Sequence, residues 1–257
     1  MSADRIAALL KTTHYGRSLD VRASTGSTND DARDAAAAGA PRGHVVVADA
    51  QERGRGSHGR EWSSPAGVDL YLSIVERVTL PPSAIATVTL AVGLGVTDAI
   101  ASLSPELGSR VRVKWPNDAW IDRKKTAGVL VESSSSGAVQ GPVILGIGLG
   151  VNRIEWPPEL ASSATSLRDA SPGKPVFDRD VVLATLLASV ERAIDALVRY
   201  GVGPTVARLD ERLAMRGEDV AIDDRRGVLL GLDPRGALRV RTPEGERTIL
   251  SGTLRPV

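Results

Sequence analysis

Residues 111–132 read "VRVKWPNDAWIDRKKTAGVLVE". "VRVKW" and "AGVLVE" have the composition of strands, and Pro116 to Asp122 reads as the turn between them. Asn117 and Asp118 carry short polar side chains that suit a fixed turn, and their position just past a strand end leaves a binding role open beside it. Lys125 stands immediately before a buried strand, where a lysine needs an anionic partner. Gly128, three residues on, lets a ligand approach the backbone. Lys124 reads as a solvated neighbour.

On the N-terminal side, residues 4–11 read as a short helix and 19–24 as a strand. "STNDDARDAAAAGA" (27–40) reads as a helix capped by Ser27, Thr28 or Asn29, with acids in its first turn and Gly39 near its end. "HVVVADAQ" (44–51) is a buried strand. "DLYLSIV" (69–75) alternates, with Leu70, Leu72 and Ile74 on one face. Apolar residues recur at helical spacing from Ala84 to Leu103. On the C-terminal side, "PVILGIGLGVN" (142–152) is another buried strand, 154–176 is loop, and 179–199 and 203–214 read as helices. Near Arg216 the pattern changes to four short strands, "EDVAI", "RGVLLGLD", "ALRVRT" and "RTILSGTL", with the spacing of a small β-barrel. The expected architecture is a mixed α/β domain over 1–213 and a small β-domain over 214–257.

Composition narrows the function. The 257-residue chain is 42% apolar, enough for a sizeable core. Its formal net charge of +1 is far below that of a polyanion-coating protein. It contains no cysteine, which removes disulfides, thiolate metal sites and a cysteine nucleophile. Three scattered histidines, His14, His44 and His58, do not make a zinc site. No apolar run reaches the roughly 18 residues of a membrane helix, and the N-terminus lacks a signal-peptide core. A soluble cytoplasmic protein is expected.

Between two of these strands lies "QERGRGSHGREW" (51–62). Gly54, Gly56 and Gly59 expose backbone N–H groups, and Arg55 and Arg60 add donors suited to phosphate or carboxylate. A solvated basic hairpin is the alternative. No Gly-Lys-Ser/Thr follows, so this is not a nucleoside-triphosphate P-loop. "GIGLGVN" (146–152) has Gly-x-Gly-x-Gly spacing rather than the dinucleotide fingerprint, and alone it reads as a tightly packed strand.

The ordered set "STN", "Q-x-x-G-R-G-x-x-G-R-x-W", "KWPND", "K-x-x-G-V-L-V-E" and "G-x-G-x-N" resembles the catalytic domain of biotin–protein ligases. "SSPAGVDLYLSI" (63–74) and "ATSL" (164–167) recur in the order that family has, and the resemblance covers residues 20–255. It implies an α+β fold, a mixed sheet with flanking helices of the class II aminoacyl-tRNA-synthetase-like type, followed by an SH3-like β-barrel. It implies formation of biotinoyl-5′-AMP from biotin and ATP, with magnesium, then transfer to a lysine of a biotin carboxyl carrier protein or domain.

The resemblance also assigns roles. Lys125 and Arg55 would be catalytic. Ser27, Thr28, Asn29, Gln51, Gly54, Arg55, Gly56, Ser57, Lys125, Gly128 and Gly148 would surround biotin. Arg60, Trp62, Asn117, Asp118, Lys125 and Asn152 would lie on the ATP side, Trp62 offering a flat face to adenine. Asn117 and Asp118 carry oxygens suited to magnesium, and no metal ligand is assigned. The glycine loop is expected to be a lid ordered by ligand.

Two departures stand out. Ser57 occupies a place where the family usually carries a second basic residue, which implies weaker retention of the adenylate. Thr253 in "SGTLRPV" replaces the usual glutamate of the small domain. Only 26 residues precede Ser27, too few for the family's winged-helix domain, so neither DNA nor membrane binding is expected; a homodimer is compatible. Lipoate–protein ligases share the fold and reaction class, but their Arg-rich segment and Gly-Gly-Gly turn are not found. A nucleic-acid binder using Arg53, Arg55 and Arg60, and a degenerate ligase that only binds, are the remaining alternatives.

Overall fold

The computed structural model describes residues 1–78, 85–136 and 139–257. Its main sheet has seven strands in the order β1 (Leu19–Arg22), β2 (Val45–Ala48), β3 (Leu70–Glu76), β7 (Val139–Leu149), β6 (Lys124–Ser136), β5 (Asp118–Ile121) and β4 (Val111–Lys114). β1 and β2 run parallel, and every other neighbouring pair is antiparallel. The expected turn over 116–122 is therefore too long. Trp115–Asn117 turns, across a cis Trp115–Pro116 peptide, Asp118–Ile121 is a strand, and Asp122–Arg123 turns again. The Pro-Asn-Asp turn signal masked a four-residue strand whose Ala119 and Ile121 are buried and whose first residue is an acid.

The two faces of this sheet differ. Leu70, Leu72 and Ile74 of β3, Leu145, Ile147 and Leu149 of β7, and Ala127 and Val129 of β6 belong to one cluster. Strand periodicity puts all of them on one side. Against them pack α3 (Ile85–Leu103) and α6 (Arg179–Tyr200), with Ile6 of α1 (Ala3–Leu9). Ala84, where the α3 periodicity begins, lies outside the described residues. α6 starts because Asp178 accepts hydrogen bonds from the N–H groups of Asp180 and Val181, and stops at Gly201, whose φ is 75°. Among the described residues α3 alone is long and apolar enough to cross a membrane, but 67% of that window is buried inside the protein. The opposite face carries α2 (Thr28–Ala37), whose Ala32 and Ala36 meet Val46, Val75 and Ile144.

After α7 (Val202–Glu211) comes a second, five-stranded antiparallel sheet. Its order is β11 (Gly245–Ile249), β10 (Leu238–Thr242), β9 (Arg225–Leu232), β8 (Asp219–Ile222) and β12 (Leu254–Pro256). The expected single strand "RTILSGTL" is two: the chain breaks at Ser251–Gly252, and β12 pairs with β8 at the far edge. α7 also ends three residues earlier than the periodicity predicts. Leu213 leaves it to bridge Val113, with Val113 N–H on the Arg212 carbonyl and Ala214 N–H on the Val113 carbonyl. One apolar cluster spans α3, Trp115, α7 and this sheet, and the Trp115 indole N–H donates to the Gly236 carbonyl at 3.0 Å.

Two glycines in α3 offer a matched test of packing. A Cβ on Gly95 would lie 2.8 Å from Val190 Cα in α6, whereas one on Gly93 meets nothing nearer than Val113 Cγ1 at 4.0 Å. Gly95→Ala is expected to destabilise the fold by about 1–3 kcal/mol by prising the helices apart. Gly93→Ala should be neutral or stabilise by up to about 1 kcal/mol. Urea unfolding of both variants reads the difference; equal midpoints would contradict this packing.

Candidate active site

The α2 side of the sheet is hollowed by glycine. Cross-strand pairing lines up Tyr71, Gly148, Gly128 and Asp118 across β3, β7, β6 and β5, and beside them Ser73, Gly146 and Leu130. Residues directly opposite point to the same face, so three missing side chains leave a trough. Its contents explain why glycine is required. A Cβ on Gly146 or Gly148 would overlap the Asn29 amide or the Trp62 indole, and one on Gly128 would lie 2.8 Å from Trp62 and 3.2 Å from Lys125 Nζ.

Strict alternation from Gly128 would turn Lys125 toward the hydrophobic core. It does not, because the β5–β6 register slips: Ala119 pairs with Ala127 but Trp120 pairs with Lys125. Thr126 is the extra residue of a bulge, and Lys125 rejoins the trough face. There its ammonium lies 2.7 Å from Asp118 Oδ1 and 5.1 Å from the Trp62 ring centroid. Lys114 stands 3.8 Å from the other Asp118 oxygen.

Two cavities meet at this point. The first is lined by Ser27, Thr28, Asn29 and Gln51 on one side, by Gly128, Gly146 and Gly148 below, and by Arg55 and Gly56 above. The hydrogen bonds among Thr28, Gln51, Ser64 and Ser73 are neutral, while the Asn29 amide donates to Glu132 at 2.6 Å. Thr28 donates its N–H (2.9 Å) and hydroxyl (3.1 Å) to Gln51 Oε1, and Gln51 Nε2 donates to Ser64 (3.1 Å). Ser73 donates to Asn29 Oδ1 at 2.5 Å. The second cavity, about 340 Å³, is lined by Arg60, Lys114, Lys125 and Arg153, by the carboxylates of Glu61, Asp69 and Asp118, and by Trp62, Trp120 and Trp156. Arg60 donates to the Ser57 carbonyl and hydroxyl. Arg153, 8% exposed, donates to Ser63 Oγ and lies 4.6 Å from the Trp156 ring centroid. Neither guanidinium has a salt bridge among the described residues. Arg60 is exposed and Arg153 buried, and a guanidinium without a salt bridge suits an incoming anion. Among the described residues the buried Trp120 Nε1, Thr126 Oγ1 and Trp156 Nε1 have no protein partner, and all three line this cavity. Gly56, Ser57, Trp62 and Lys125 line both cavities.

Most residues picked from the sequence converge here, with three changes. Asn117 lines the first cavity instead of the second, and its amide donates to the Val129 carbonyl at 2.8 Å. Asn152 lines neither, because both ends of its amide hold the Phe177 backbone at 2.8 Å. Gly54 also lines neither; it lies under the loop, where a Cβ would meet the Trp62 carbonyl at 2.6 Å. Arg55 lines only the first cavity and is paired with Asp30 and Glu132. The sequence assigns no role to Lys114, Trp120, Thr126, Arg153 and Trp156, which also line the second cavity. Lys114 opens the "KWPND" motif and Arg153 follows "G-x-G-x-N", whereas the lone Trp156 sits in a segment that reads only as loop. No group of three or more metal-ligating His, Cys, Asp or Glu side chains occurs among the described residues, and Asp118 is engaged by two lysines.

The biotin/lipoate A/B protein ligase family model matches residues 22–152. The chain is 32% identical to the bifunctional ligase/repressor BirA of Bacillus spizizenii, over 99% of this chain and 78% of that protein. It is 40% identical to the biotin–[acetyl-CoA-carboxylase] ligase of Mycobacterium tuberculosis, over 69% of this chain and 64% of that one. The solved Aquifex aeolicus biotin protein ligase in complex with biotin and ATP superposes with a TM-score of 0.81, at 29% identity, covering 94% of this chain and all of that one.

Lys114 gives the site a pH signature. Burial lowers the pKa of its ammonium from 10.5, partly opposed by Asp118 and reinforced by Lys125, Arg60 and Arg255. Only the charged form attracts an anion, so affinity is full below the lowered value and falls as pH rises through it. MgATP binding, read by quenching of the cavity tryptophans, should weaken on the alkaline side earlier than an ordinary lysine allows. Lys114→Arg should remove the drift; a variant with an unchanged profile would rule out Lys114 as its source.

Proposed function

The chain belongs to the biotin/lipoate A/B protein ligase family, and we infer from its two cavities that it is an ATP-dependent biotin–protein ligase. The observation that carries this is Lys125, the one ammonium shared by a neutral, glycine-floored cavity and a cationic, tryptophan-lined one. Biotin offers a neutral ureido ring and an apolar tail ending in a carboxylate. Neutral donors and acceptors from Thr28, Asn29 and Gln51 suit the ring, and the glycine trough suits the tail. ATP offers a polyanion and an aromatic base, which suit the second cavity.

Biotin and ATP react where the cavities join. A carboxylate oxygen attacks the α-phosphorus, and pyrophosphate leaves. Two anions must approach, and Lys125 stands between them, oriented by Asp118 and lying against the Trp62 ring. Fixed positive charge that needs no rearrangement is an effective way to lower such a barrier. The mixed anhydride then lies across both cavities. An acceptor lysine, as free amine, attacks its acyl carbon, the C–O bond to AMP breaks, and the amide forms. Magnesium arrives with ATP as part of the substrate.

The acceptor is a biotin carrier protein, in keeping with relatives named for acetyl-CoA carboxylase. We assign catalysis to residues 1–213 and a supporting role to 214–257, whose Arg255 bears electrostatically on Lys114. The near-zero net charge supports a ligase that does not coat DNA. Biotin is preferred to lipoate because the named relatives are biotin ligases.

Incubation with biotin, MgATP and a carrier domain should add one biotinoyl group to the carrier's mass. No gain with biotin, or a gain with lipoate instead, would overturn the assignment. Lys125→Ala should slow adenylate formation by about 10²–10³-fold with little change in unfolding temperature. Near-normal adenylation by the folded variant would remove Lys125 from the mechanism.

A further inference from the structure

Arg55 lies in a ring of four charges. Its Nη1 is 2.6 Å from Asp30 Oδ2 and its Nη2 is 3.3 Å from Glu132 Oε2. Arg33 closes the ring, 2.7 Å from the other Asp30 oxygen and 2.9 Å from Glu132 Oε2. Asp30 and Arg33 are on α2, Glu132 is on β6, and Arg55 is on the glycine loop. The ring thus ties the loop to both walls of the first cavity.

The loop it holds is a small hairpin. Arg55 bridges Glu61, Gly56 N–H donates to the Arg60 carbonyl at 2.7 Å, and Trp62 N–H donates to the Gly54 carbonyl at 2.9 Å. One strand of this hairpin is pinned by Arg55. The other, beside it, places Trp62 over Gly128 and Gly148. Together they reduce the first cavity to about 30 Å³, room for a water or two and not for a bicyclic ligand. A bicyclic ligand needs more room than this, and lifting the hairpin to make it would break both Arg55 pairs.

We propose that Asp30 and Glu132 are positioning residues that clamp Arg55, and that this clamp sets how fast biotin enters and leaves the first cavity. The inference rests on the biotin reading above. It gives Arg55 a different task from the one its sequence position suggests: with two carboxylates already on it, Arg55 secures the roof, and the anions fall to Arg60, Lys114, Lys125 and Arg153. All four members of the ring are partly exposed, so the clamp is weak enough to open in each cycle and is sensitive to salt.

The isosteric variants Asp30→Asn and Glu132→Gln in the full chain test it, with Arg33→Ala as control. Glu132→Gln keeps an acceptor for the Asn29 amide, which donates to Glu132 at 2.6 Å. Without ligand, trypsin cleavage at Arg53, Arg55 and Arg60 should rise about three- to ten-fold in both isosteric variants and not in Arg33→Ala. Biotin dissociation should accelerate by a similar factor, KM for biotin should rise more than kcat changes, and added salt should speed dissociation from the parent protein more than from the variants. Parent-like cleavage and dissociation in both, or equal opening by Arg33→Ala, would overturn the clamp. Failure of every form to bind biotin would overturn the biotin reading, while the ligand-free cleavage comparison would still decide the clamp.

Discussion

The site depends on one slip in strand pairing. β6 is a core strand whose Ala127 and Val129 are buried against the helices. Continued without interruption, its alternation would bury Lys125 in the same core, at a desolvation cost on the order of several kcal/mol for an unpaired ammonium. The extra residue Thr126 turns Lys125 back to the trough, beside Asp118 on the neighbouring strand. The pair then stands on two hydrogen-bonded strands of the main sheet. Strand backbones hold such positions more tightly than loops do.

Around that fixed point the protein separates two kinds of chemistry. On one side, small side chains and neutral hydrogen bonds leave a slot for a ligand with little charge along most of its length. On the other, four cations, three carboxylates and three indoles face a space of about 340 Å³. Lys125 is held between an acid that orients it and an indole that lies against it. The second sheet reaches the same region through the packing of Trp115 and the field of Arg255. The helices of the opposite face contribute rigidity only.

How much of this the sequence discloses depends on the kind of signal. Helices and core strands are plain in the periodicity, because α3, α6 and β7 bury continuous apolar faces. The motifs "STN", "KWPND" and the glycine loop lead correctly to the walls of the cavities. What the sequence hides is pairing. β5 was read as turn because its first residue is an acid after a proline turn, and the Thr126 bulge has no signature in composition. Asn152 and Asn117 look alike as motif asparagines, yet one holds the Phe177 backbone and the other holds β6. Arg55 reads as an anion ligand until Asp30 and Glu132, far apart in the chain, are seen on either side of it.

The central claim is that a carboxylate from one cavity and an α-phosphate from the other are joined directly between them. Oxygen labelling follows that bond. With both biotin carboxylate oxygens replaced by ¹⁸O, turnover on a carrier protein should leave one ¹⁸O in each AMP released and none in pyrophosphate. Label appearing in pyrophosphate or inorganic phosphate, or unlabelled AMP from a productive turnover, would contradict the account.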